Sequence, residues 1–160
     1  MRLFLAAFGA LALAACETTV AQPADPSPVS ITLERTACFG ACPVYTVSID
    51  GDGAVSYTGR RFVGVTGEQH GQVSRADVQT LLQAFDAAQF ETLQDEYRAH
   101  ITDQPSRIIT LTRNGHTKRV VDYAGTRAGM PEAVRALEDE IDRVANTAQW
   151  VHRPDGAPAK

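Results

Sequence analysis

Two cysteines with three residues between them, in Cys38-Phe39-Gly40-Ala41-Cys42-Pro43, are the part of this chain best equipped for chemistry. Thiols at this spacing can close a disulfide, exchange electrons with another dithiol, or, with an imidazole, hold a soft metal such as Cu(I). His70, His100 and His116 are candidate third ligands, although none stands at a motif spacing from the thiols. A second grouping surrounds Thr102-Asp103-Gln104-Pro105. Asp103 could act as a carboxylate beside Tyr97, His100 or Arg107. The favoured reading is an Asx-type turn, in which the side chain bonds nearby backbone. Asp95 and Glu96 are adjacent, and sequence neighbours rarely converge on one substrate atom. There is no G-x-S-x-G, H-E-x-x-H or phosphate-cradling glycine loop. The expectation is a non-enzyme with no cofactor and no assigned metal site. Asp103 and Tyr97 are the weak catalytic candidates, and Cys38, Cys42 and His70 the weak metal candidates.

The third cysteine has a different setting. The chain opens MRLFLAAFGALALAAC, with Arg2 as its only charge and an apolar run from Leu3 to Leu13. A positive start, a short apolar core and small residues before a cut make a secretory signal. The run falls short of the about 20 residues that span a bilayer. Leu13-Ala14-Ala15-Cys16 resembles the lipobox of bacterial lipoproteins. The resemblance implies a diacylglycerol on the Cys16 thiol, cleavage before Cys16 and acylation of the new amine, palmitate being one such chain. It also implies a lipid anchor in the cell envelope. Glu17 follows, in place of the aspartate that retains such proteins at the inner membrane, which leans towards the outer membrane facing the periplasm.

With Cys16 lipidated, two thiols remain in an oxidising compartment, where a Cys38–Cys42 disulfide is the default. In an extended strand they would sit about 13 Å apart, so the segment must turn, and Gly40 gives it that freedom. Two alternatives stand beside the disulfide. A redox pair of thioredoxin type uses C-x-x-C ahead of a helix, whereas here three residues intervene and an alternating strand follows. C-x-x-x-C-P is also similar to the copper-chaperone motif of the Sco family, which implies a thioredoxin fold that this strand order does not suggest.

The 160 residues, 44% hydrophobic and 21% charged, allow one globular domain. The net charge is −4, and −5 once Arg2 is removed with the signal, so there is no basic footprint for nucleic acid. Organisation follows from composition: signal peptide 1–15, lipidated Cys16 and a Pro-rich tether to residue 30, one domain over 31–150, and a tail over 151–160. Ile31–Thr36 is a short strand. Pro43–Asp50 and Ala54–Arg61 flank a Gly51-Asp52-Gly53 turn. Ser74 caps a helix that carries Val78, Leu81, Leu82 and Phe85. Arg107–Arg113 and Thr117–Tyr123 flank Asn114-Gly115, a two-residue hairpin signal. Pro131 opens a helix with Val134, Leu137, Ile141 and Val144, and the acids of residues 132–142 read as its wet face. Lys118 and Arg119 read as a solvated hairpin face. The expected architecture is α+β: an antiparallel sheet from two hairpins, compatible with a duplicated ββα unit, with two helices packed on one face. Thr46, Ser48, Thr110 and Thr112 would line the free face.

Arg35-x-x-Cys38-Phe39-Gly40-x-Cys42-Pro43-Val44-Tyr45, followed by Asp52-Gly53-x-Val55-x-Tyr57-x-Gly59, resembles a bacterial domain of unknown function found in secreted and lipid-anchored proteins. The likeness continues through Phe90, Leu93, Tyr97, Thr102-Asp103-x-Pro105, Lys118, Tyr123 and Ile141-Asp142. It implies one domain over most of residues 31–145 and no particular activity. The functional expectation is a membrane-anchored envelope lipoprotein acting as a non-enzymatic binding or structural module for another envelope protein. The alternative is a thiol redox protein or copper chaperone using Cys38 and Cys42.

Overall fold

The computed structural model of the protein describes residues 28–152. The expected signal peptide, Cys16, the tether before Pro28 and the tail after His152 lie outside the described residues. The strands are β1 (Ser30–Arg35), β2 (Val44–Asp50), β3 (Ala54–Arg61), β4 (Gly67–Gln72), β5 (Glu96–Arg98), β6 (Arg107–Arg113) and β7 (His116–Tyr123). The helices are α1 (Arg75–Ala87), α2 (Glu132–Ala145) and the single turn α3 (Ala148–Val151). Among the described residues no helix is long and apolar enough to cross a membrane.

The expected sheet is corrected. The strands form one seven-stranded mixed sheet in the order β4-β3-β2-β1-β6-β7-β5, with β5 parallel to β7 and every other pair antiparallel. It is not a two-hairpin antiparallel sheet with two helices packed on one face. Nor are its halves copies of a ββα unit: the first supplies a four-strand run and the second a hairpin flanked by a parallel edge strand. The misreading has local causes. β4, GEQHGQ, is an exposed edge strand, so it has no buried face to impose alternation. β5 buries only Tyr97 in three residues. β1 is central because it pairs with both β2 and β6, and the second pairing is long-range and invisible to periodicity.

Local signals otherwise act as their chemistry demands. The Ser74 hydroxyl accepts the Asp77 N–H at 3.1 Å. Asn114 and Gly115 both take positive φ, as a tight primed turn requires. The core joins Ile31, Leu33, Val47, Ile49, Ile109 and Leu111 from the sheet to Val78, Leu81 and Phe85 of α1 and Val134, Leu137 and Ile141 of α2. Each such burial stabilises by about 1.5–3 kcal/mol. Tyr57 stacks between Tyr45 and Trp150, with ring centroids 5.5 and 4.9 Å apart. The register places Thr32, Thr46, Ser48, Thr110 and Thr112 together on the face opposite Ile31 and Leu33.

Candidate functional site

The end of the sheet where β1 finishes holds a row of polar residues facing the core side. Cross-strand pairing aligns Tyr45, Arg35, Arg107, Asp122 and Tyr97 on β2, β1, β6, β7 and β5. Each lies in phase with apolar core residues, as Arg35 does with Leu33 and Ile31. Helix α2 answers with Arg135, Glu138 and Asp142, three residues on one stripe. Their rises along the axis, about 4.5 and 6 Å, come close to the strand spacing of about 4.8 Å. One helical stripe therefore meets successive strands with opposite charge.

Arg35 donates Nε and Nη2 to Asp142 Oδ2 at 2.9 and 2.5 Å. Asp142 Oδ1 accepts the Tyr45 and Thr147 hydroxyls at 2.7 and 2.8 Å. Arg107 Nη1 lies 3.4 Å from Glu138 and 3.6 Å from Asp122. Arg135 lies 2.9 Å from Asp122 and 3.5 Å from Glu138. Glu138 is 0% and Asp122 2% exposed. Gly125, opening the 3₁₀ turn Gly125–Ala128, donates its N–H to Asp122 Oδ1. A side chain on Gly125 would collide with that carboxylate, so glycine is needed for this approach.

Burial, and then the Asp122 charge, push the Glu138 carboxyl up to about 9, so it is protonated at neutral pH. A proton on Glu138 also lets its carboxyl donate a hydrogen bond to the Asp122 carboxylate. Burial pulls Arg35 down, but the Asp142 charge outweighs it and the net shift is upward. The Tyr45 phenol is raised by burial and then by Asp142. The Tyr57 phenol is raised to about 12 by the same two causes, and its buried hydroxyl has no hydrogen-bond partner.

Beside this row, Cys38 and Cys42 are joined in a disulfide, with Cα atoms 5.8 Å apart. The five-residue loop they close carries Phe39 at its tip, 89% exposed and the only large hydrophobic side chain exposed among the described residues. The Phe39 N–H donates to the Asp103 carbonyl at 3.3 Å, and Thr36 and Ser106 exchange two further bonds below it. A shallow pocket lined by Arg35, Cys42, Pro43, Pro105 and Arg107 runs from the disulfide to the polar row.

The sequence candidates disperse. Asp103 is exposed at φ 69° and its carboxylate accepts the Thr102 hydroxyl, a local turn contact. Tyr97 is buried, and its hydroxyl accepts the Gln94 N–H. Asp103 and Tyr97 thus have different partners. His70 lies exposed on β4, His100 is exposed after β5, and His116 sits 3.3 Å from Glu91. Among the described residues no three His, Cys, Asp or Glu side chains group as a metal site. Lys118 is not a solvated hairpin residue: its ammonium bonds Asp95 and the Leu93 carbonyl, both at 2.6 Å. Nor is the acidic run of α2 wholly a wet face, since Glu138 and Asp142 point inward. Charges in phase with buried apolar residues were the available signal for both.

Fold and site together define a small, mostly sheet domain: one seven-stranded mixed sheet with three short helices, a charged ladder clasped by α2, and a disulfide-clipped loop at the ladder's end. The chain belongs to the family described as Domain of unknown function (DUF6438), which matches residues 29–145. That span contains both loop cysteines and every ladder residue. No curated protein matches the chain.

Proposed function

We propose that this protein is a lipid-anchored lipoprotein of the cell envelope whose domain is a non-enzymatic binding module for another envelope protein, engaged through the Phe39 loop. The carrying observation is Phe39 itself. A large apolar side chain held almost fully in water has a solvation cost, and a cyclised loop reduces the conformational entropy lost on docking. Aromatic anchors of this kind dominate interface energies. Sequence supports the location: the lipobox at Cys16 and a Pro-rich segment that fully extended reaches about 45–50 Å. The Cys38–Cys42 bond then acts as a clip for the loop.

Two measurements test this. The intact mass of the membrane-extracted protein is expected to begin at Cys16 plus lipid; a mass retaining residues 1–15 removes the anchor. In cross-linked envelopes, F39A is expected to lose the partner that the parent retains, with its unfolding midpoint unchanged. Equal retention sinks the role of the loop. Opening the clip with C38S/C42S is expected to cost about 2 kcal/mol, the chain-entropy value for so short a loop, read by urea denaturation.

A further inference from the structure

Next to the disulfide end lies a cavity of about 250 Å³ whose lining includes Arg107, Arg127, Arg135, Gln104 and Thr126. The three guanidiniums come from β6, the Gly125–Ala128 turn and α2. No single element places them; the fold brings them together. We propose that this cavity is a binding site for a small oxyanion group, a phosphate or a carboxylate, held by Arg107, Arg127 and Arg135. The inference concerns different side chains from the Phe39 reading and does not depend on it.

Three observations support it. First, donors reach the cavity. The Arg107 and Arg135 side chains line it and stay 26% and 29% exposed beside their ion pairs with Asp122 and Glu138. Arg127 is exposed and pairs with no carboxylate among the described residues. Second, the charges do not cancel. Behind the cavity stand Asp122 and Glu138, and the buried Glu138 carboxyl is protonated at neutral pH. Three guanidiniums then face one carboxylate, and Asp122 already spends one oxygen on the Gly125 N–H. Third, the lining suits an oxyanion. Planar guanidinium forks match carboxylate and phosphate oxygens, while Gln104 and Thr126 add neutral donors. The volume of about 250 Å³ admits such a group.

The test is calorimetric titration of the full-length detergent-solubilised protein at pH 7 in low-chloride buffer, with inorganic phosphate, with succinate, and with chloride as control. Saturable binding of phosphate alone assigns a phosphoryl group, and binding of succinate alone a carboxylate; either supports the site. R127A, whose side chain is exposed and outside the core, is expected to fold normally and to weaken the bound probe by at least about tenfold, the equivalent of one charge-assisted hydrogen bond. R127K keeps the charge and is expected to recover part of that loss. The proposal is overturned if neither probe binds more tightly than chloride, or if R127A binds as well as the parent.

Discussion

Replacing Asp142 by alanine is expected to lower stability by about 3–5 kcal/mol, the range for breaking a largely buried ion pair from one side. Four donors converge on this carboxylate: two from Arg35 and one each from Tyr45 and Thr147. Alanine leaves the Arg35 guanidinium with only Asp139, 3.7 Å away and largely exposed. It also leaves the buried Tyr45 hydroxyl without its acceptor. The expense lies in those orphans more than in the lost attraction. D142N, which keeps an acceptor for the hydroxyls, is expected to lose less. Urea denaturation followed by Trp150 fluorescence reads both. A loss below about 1 kcal/mol for D142A, the surface-pair range, would show that water reaches Arg35 and that the pair does not lock α2 to β1.

The second large effect is a dependence on pH. Glu138 titrates in the ordinary carboxylate range when unfolded and at about 9 when folded. Between those limits the native state holds a proton that the unfolded chain releases. Stability contributed by this group is therefore complete at acid pH, falls as pH rises, and levels off above about 9. The slope is at most about 1.4 kcal/mol per pH unit for one proton. Arg35, Arg107, Asp122 and Arg135 face this group from β1, β6, β7 and α2. E138Q mimics the protonated acid and removes that slope. It is expected to match the parent near pH 5 and to be more stable than it at pH 8, as read by denaturation midpoints across the range. Parallel profiles for the two proteins would mean that Glu138 is ionised and that the arginines fully compensate it.

These two residues mark the boundary of what local pattern could reveal. Arg35 and Asp142 were visible as members of a family motif, and Arg107 as a neighbour of Asp103. Their joint role was not, because Arg35 and Asp142 are 107 residues apart. The acids of α2 looked like one solvated run. The two that turn inward, Glu138 and Asp142, do so because they fall beside Leu137 and Ile141 on the helix surface, and because Arg107 and Arg35 wait on the sheet. The edge strands were hidden for a related reason. β4 buries almost nothing, and a strand without a buried face carries no alternation to read.

Cysteine spacing, hydrophobic period and turn residues sufficed for the short-range features: the α1 cap, the Asn114-Gly115 turn and the apolar stripes of both long helices. Each depends on contacts within a few residues, where side-chain chemistry and backbone geometry are directly coupled. Strand order, the central place of β1, the parallel β5 and the gathering of Arg107, Arg127 and Arg135 around one cavity depend on pairings between distant segments. Such pairings are selected by how the whole core packs and by which buried charges find partners, and no local stretch of chain carries that information.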